Sequence, residues 1–157
     1  MAKHTTPHPQ PDDQMRRLAP ETLAAAAQAS LRAVYGVEPD YTRDGVARLD
    51  TLLHAQFLVG RYSAETFPAN LALTIGAYLG EVLRRLIADG YWGQPDADDL
   101  YRTALPFLVF SYQEREKQVN VVEDFLRYLW TGKGPSPRAY VDEQITTLQR
   151  LGFLAKT

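Results

Sequence analysis

Hydrophobic positions recur along much of the chain at spacings of three and four, the period of a helix with one buried face. The first such stretch is Pro20–Tyr35, in which Leu23, Ala27, Leu31 and Val34 fall on one stripe. Pro20 suits the first helical turn, Glu21 the positive end of the helix dipole, and Gly36 the position just past the helix end. A short helical turn is expected ahead of it, over 14–18. A second helix is expected over 44–57, with Val46, Leu49, Leu52, Leu53 and Phe57 as its apolar residues. Gly60 and the RYSAETF stretch interrupt the pattern. Pro68 then opens a third helix, over 68–88, on Leu71, Ile75, Leu79, Val82, Leu83 and Leu86, and Asp89-Gly90 ends it.

After Gly90 the texture changes. Tyr91 and Trp92 form a short aromatic strand, and LPFLVFSY (105–112) is a brief apolar run with Pro106 near its start, the mark of a buried strand. Glu114, Arg115, Glu116 and Lys117 are charged and turn-like. Asn120 followed by Glu123 has the form of a capping box and opens a helix that runs to about Trp130. Gly132, Gly134 and Pro135 break it. Ser136-Pro137 starts a last helix to about Leu151, and Gly152 stops it. The sum is an α+β fold, mostly helical, with about five helices and a small two- or three-stranded sheet.

The polar leader over 1–14, with three prolines and no large aliphatic residue beyond its first methionine, cannot bury enough surface to offset the entropy of ordering. It is expected to be a disordered tail ahead of one domain over 15–157. A chain of 157 residues is one domain by length. No secretory apolar segment follows the first basic residue, and no run approaches a membrane span, so a cytoplasmic address without membrane contact is expected.

Charge and composition chiefly exclude. The 17 basic and 19 acidic side chains give a net charge of −2, which offers no general attraction for nucleic acid. The absence of cysteine removes thiol catalysis, disulfides and cysteine metal sites. Of the three histidines, His4 and His8 lie in the leader, so the folded body has one imidazole, His54. Ser30, Ser63, Ser111 and Ser136 lack any nucleophile motif. Gly132-Lys133-Gly134 lacks the spacing of a phosphate loop and reads as a turn between helices. Asp50 and His54 share a helical face. As metal ligands they would need Glu65 or Glu81 besides, and they read more simply as a surface ion pair or a capped imidazole. The Asp96, Asp98, Asp99 run lacks the central glycine and closing glutamate of a calcium loop. No catalytic residue, metal or cofactor is assigned.

The third helix is more specific. Gly76 and Gly80 each cost about 1 kcal/mol of helix propensity, so a backbone or an aromatic ring is expected to approach them closely. Glu81 follows Gly80 in an apolar helix and stands four residues before Arg85, the favourable order for an ion pair. Two accounts compete. One is tight helix packing with a rim salt bridge. The other is a glycine-floored groove in which Tyr78, Glu81, Arg85, Trp92 and His54 meet a ligand or partner; a buried glutamate there would have a raised pKa and could act as acid or base. Tyr91, Trp92, Tyr112, Tyr128 and Trp130 concentrate in the second half of the chain, as core or interface residues.

The stretch LTIGAYLGEVLRR (73–85), followed by GYW (90–92), resembles a motif of small bacterial proteins of uncharacterised function. Those proteins carry a GAYLGEVLRR-type helix, a G-x-W strand, a proline-bearing apolar strand and a further helix. Here 105–107 and 120–130 match the later parts, and the resemblance spans 50–130. It departs over 111–119, where the basic, glycine-containing segment of those proteins has no counterpart. The resemblance implies a bacterial, cytoplasmic α+β domain and structural roles for Gly76, Gly80 and Trp92, with no catalytic residue.

The function expected is therefore a non-enzymatic binding or protein-interaction domain of regulatory or immunity-like type, the last on size and charge alone. The competing expectation is a small-molecule site or enzyme with a pocket around Glu81. A third is nucleic-acid binding through the C-terminal helices. Arg127, Lys133, Arg138 and Arg150 favour that reading, while Glu123, Asp124, Asp142, Glu143 and an unusual Pro-Ser-Pro turn oppose it. The partner is an unidentified protein or small ligand, and self-association is compatible with the sequence.

Overall fold

The computed structural model describes residues 11–60, 62–63, 65–93, 105–132 and 135–155. In chain order they form α1 (Asp13–Arg16), α2 (Pro20–Tyr35), α3 (Arg43–Leu58), α4 (Ala69–Leu86), β1 (Gly90–Gly93), β2 (Phe107–Tyr112), β3 (Arg115–Val119), α5 (Val121–Thr131) and α6 (Pro137–Arg150). The fold is α+β and mostly helical, with one three-stranded antiparallel sheet in the order β1-β2-β3.

Everything is arranged around α4. Each residue from 72 to 83 is buried, so this helix has no solvent face along most of its length. Its packing partners are α2, most extensively, then α5, α6, α3 and the sheet. An all-apolar helix needs such complete cover, and the neighbours supply it from amphipathic faces. From α2 come Leu23, Ala24, Ala27 and Leu31, from α5 Val121, Val122, Phe125, Leu126 and Leu129, and from α6 Val141, Ile145 and Leu148. Only two polar residues are buried among those described, Thr74 and Glu81, and both lie on α4. Thr74 satisfies its hydroxyl by donating to the Leu71 carbonyl at 2.8 Å. Glu81 requires partners from outside its own turn.

Helix ends mostly follow local chemistry. Pro20 opens α2, and Gly36 closes it in the left-handed region at φ 69°, its N–H reaching the Arg32 carbonyl at 2.9 Å. Thr42 caps α3 by accepting from the Gly45 N–H at 3.1 Å, and Ser136 caps α6 by accepting from Ala139 at 3.3 Å. The capping box expected at Asn120 does not form. Asn120 makes no side-chain cap; its Oδ1 instead accepts from the Gln118 side chain at 2.9 Å. The third expected helix also stops short. Ile87 turns extended and bridges Ala155, and the Ala88 N–H donates to the Leu154 carbonyl at 2.8 Å. The returning C-terminal segment thus takes the residues that local propensity would leave helical.

The charged stretch read as a turn is largely a strand. Arg115–Val119 pairs with β2 from Leu108↔Val119 to Tyr112↔Arg115, and only Gln113 and Glu114 make the turn. Both have positive φ, 49° and 65°, as a two-residue hairpin turn of the left-handed type demands. Arg115, Glu116, Lys117 and Gln118 are all exposed, so β3 is an edge strand guarded by charge, and its pattern shows no alternation. At the other end of the chain, the polar leader lies outside the described residues up to position 10. Its last part is held in place. The Asp12 N–H donates to Asn70 Oδ1 at 2.9 Å, and the Asn70 amide donates back to Asp12 Oδ2 at 3.0 Å, with α1 following directly.

Candidate functional site

The residues singled out on the third expected helix converge on one carboxylate. Glu81 is 1% exposed. Arg84 meets it in a two-pronged pair, Nε to Oε1 at 2.6 Å and Nη2 to Oε2 at 2.9 Å. Arg85 adds a longer bond to Oε2 at 3.4 Å, and the Trp92 indole N–H donates to Oε1 at 2.7 Å. The ion pair foreseen with Arg85 is therefore secondary. The Arg85 guanidinium lies over the Tyr41 ring, 3.9 Å from its centroid, and Arg84 takes the fork geometry that suits a carboxylate. Burial alone pushes the Glu81 carboxyl up. The hydrogen bonds from Arg84, Trp92 and Arg85, together with the Arg84 charge, outweigh it and hold the group below the usual glutamate range. This corrects the expectation of a raised pKa at Glu81. The carboxylate is an occupied acceptor and is not poised to exchange protons near neutral pH.

The two glycines explain how Trp92 gets there. A Cβ on Gly80 would stand 2.1 Å from Trp92 Cη2 and 2.9 Å from Val121 Cγ1. A Cβ on Gly76 would meet the Val122 Cα at 3.0 Å. One glycine thus admits an indole ring and the other the backbone of α5. Instead of flooring an open groove, the stripe is covered by Trp92, Val121 and Val122.

Tyr78 is fully buried. Its hydroxyl donates to the Asp40 carbonyl at 2.6 Å, and a Cβ on Gly45 would come within 2.8 Å of that hydroxyl. It ties the loop before α3 to α4 and is closed to a ligand. His54 is exposed on α3, away from this cluster, and Asp50 is not its partner in a metal site. Asp50 Oδ2 accepts from the Arg138 N–H at 2.8 Å, at the start of α6. No group of three or more metal-ligating side chains occurs among the described residues. The acidic 96–99 run lies outside them. Tyr78, Glu81, Arg85 and Trp92 are thus one packed structural junction, and His54 stands apart from it.

An open recess lies elsewhere, between α5 and α6, with Leu79 of α4 also lining it. This cleft of about 250 Å³ is walled by Phe125, Tyr128 and Tyr140 and carries Asp124, Arg127 and Glu143. Pro135 and Pro137, on either side of the Ser136 cap, also border it. The Tyr140 hydroxyl donates to Asp124 Oδ2 at 2.5 Å. Arg127 lies 3.4 Å from Glu123 and 3.9 Å from Asp124. Both tyrosines are held above the usual phenol range, first by burial; the carboxylates of Asp124 and Glu143 add to this at Tyr140, and Asp50 does so at Tyr128. Sequence reasoning missed this cleft. Its residues come from two helices, and each has a ready explanation as core aromatic or surface charge.

Compared with known proteins, the chain matches no family model, no curated sequence and no solved structure. Among the described residues, no helix is long and apolar enough to cross a membrane.

Proposed function

We propose that this chain is a cytoplasmic, non-enzymatic binding or protein-interaction domain, of the kind that regulates or neutralises another protein, and that the α5–α6 cleft is the surface it offers. One observation carries the proposal: Glu81, the carboxylate best buried for acid or base work, is consumed by Arg84, Arg85 and Trp92. A group with its acceptor positions filled and its proton affinity lowered holds a fold together; it does not turn over a substrate. The cleft has the opposite character. Aromatic walls and a few convergent polar groups make a recess suited to recognition.

The test is affinity capture from the native host with the full chain as bait and a Glu143→Lys, Tyr128→Ala chain as control. A reproducible partner retained by the first and lost by the second supports the proposal. Turnover of any compound in a broad substrate panel, abolished by Glu81→Gln in a chain that still folds, would overturn it.

A further inference from the structure

We propose that the α5–α6 cleft receives a basic side chain of a partner polypeptide, an arginine in preference to a lysine. This rests on the reading of the cleft as the binding surface and names the chemistry that surface selects.

Charge is the first argument. Among the described residues, Asp124 and Glu143 border the recess against one guanidinium, Arg127. Arg127 is already shared between Glu123 and Asp124. Glu143 has no hydrogen-bond or ion-pair partner among the described residues and is exposed, so its charge is uncompensated and accessible. Asp124 accepts one short bond from Tyr140, yet a carboxylate offers about four acceptor positions. Its described lining is therefore rich in acceptors and net negative.

An anionic guest is disfavoured on separate grounds. The nearest natural anion site is the N-terminus of α6, where N–H groups point outward. Those donors are occupied: Arg138 N–H by Asp50, Ala139 N–H by the Ser136 hydroxyl and Tyr140 N–H by the Ser136 carbonyl. The cleft is lined by two carboxylates and two phenols beside the Gln144 amide and the Arg127 guanidinium, and that guanidinium is already engaged by Glu123 and Asp124.

Shape decides between cations. Half-buried Tyr128 lines the recess beside Tyr140, and a planar guanidinium stacks on an aromatic ring while reaching a carboxylate with two donors. A compact ammonium does neither as well. The volume, about 250 Å³, falls below the roughly 300–1,000 Å³ typical of small-molecule pockets. It suits one anchoring side chain projecting from a larger partner. Leu79 and Phe125 give its methylene stem an apolar bed.

The experiment is an NMR titration of the full isotope-labelled chain with blocked tripeptides, acetyl-Gly-X-Gly-amide, where X is arginine, lysine or glutamate, with agmatine as a fourth probe. The arginine peptide is expected to shift the amides around Tyr128, Tyr140 and Gln144 saturably. Its binding should weaken about tenfold in Glu143→Gln, the loss of one charge-assisted contact. It should also weaken as salt is raised. Glu143 is exposed and makes no bond among the described residues, so that variant keeps the fold, and an unchanged spectrum elsewhere verifies this. A lysine peptide binding as well as arginine would overturn the guanidinium preference, and a glutamate peptide doing so would overturn the cation proposal while leaving the cleft a binding surface. Agmatine binding more tightly than the arginine peptide would overturn the polypeptide source. If none of the four probes shifts the cleft, this inference and the binding reading of the cleft fall together.

Discussion

The Trp92 indole N–H donates to Glu81 Oε1 at 2.7 Å, a polar tie between β1 and the central helix in addition to their packing. The bond is placed where both partners are hard to satisfy otherwise. Glu81 is buried, and its remaining partners, Arg84 and Arg85, reach it from its own helix. Removing the carboxylate in Glu81→Ala leaves the indole donor and the Arg84 fork without an acceptor. A loss of about 3 kcal/mol is expected, at the lower end for breaking a buried pair because Arg84 retains some solvent. Glu81→Gln should cost about half as much, since one oxygen still accepts. Urea denaturation of both variants measures the difference.

The same carboxylate makes stability depend on acid. Folding holds Glu81 below its ordinary value of 4.5, because the bonds from Arg84, Trp92 and Arg85 and the Arg84 charge together exceed the opposing effect of burial. The unfolded chain therefore binds its proton first as pH falls. The stabilisation from Glu81 is whole above pH 4.5 and is lost as pH drops through the folded value below it. Melting temperatures of the native chain should decline over that acid range. In Glu81→Gln the decline should be shallower, with the two curves converging at low pH; parallel curves would show that Glu81 does not carry the effect.

Gly80 and Gly76 look alike in sequence and should respond differently to alanine. At Gly80 the new methyl would strike the Trp92 ring at 2.1 and 2.6 Å, a ring fixed at its other end by Glu81. The gain of about 1 kcal/mol in helix propensity cannot offset that overpacking, and Gly80→Ala should lose about 2 kcal/mol net. Its Trp92 indole N–H resonance should move. At Gly76 the contact with Val122 is 3.0–3.3 Å, which asks only a few tenths of an ångström of adjustment from α5. Gly76→Ala should fall within about 1 kcal/mol of the native chain.

The legibility of the chain divides along physical lines. Pro20 and Gly36 mark α2 because its ends are made by local chemistry, and the apolar breadth of α4 announces a central helix. Burial at Glu81 was visible from its surroundings, but its choice of partner was not. Sequence spacing ranks Arg85 above Arg84, whereas Tyr41, distant in sequence, draws the Arg85 guanidinium aside. β3 was hidden because an exposed edge strand of alternating charge has no buried face to impose a period. The cleft was hidden because its walls come from helices whose pairing is a tertiary fact.

Asp50 and His54 give a direct measure of that gap. Their spacing on α3 invites a joint role, yet Asp50 reaches a backbone N–H 88 residues away, at the first turn of α6. A carboxylate at a helix N-terminus stabilises it through the hydrogen bond and the dipole together. Asp50→Ala should lower stability by about 1 kcal/mol and increase amide exchange at Arg138. His54→Ala, at an exposed position, should change stability by less than about 0.5 kcal/mol.

The β2–β3 turn offers a stabilising change. Gln113 and Glu114 both sit in the left-handed region, which costs an ordinary L-residue about 1 kcal/mol or more. Their side chains add little in return: Gln113 makes one exposed bond to the Tyr112 hydroxyl at 3.2 Å. The register Tyr112↔Arg115 fixes a two-residue loop, whose best occupants are asparagine and then glycine. The double change Gln113→Asn, Glu114→Gly should therefore raise stability by about 1 kcal/mol. The gain is smaller than the sum of both strains because glycine also loosens the unfolded chain. Amide exchange across Leu108–Val119 should slow with it, since the hairpin opens less often. A variant that melts at or below the temperature of the native chain would mean that the two positive φ angles are not strained in this hairpin.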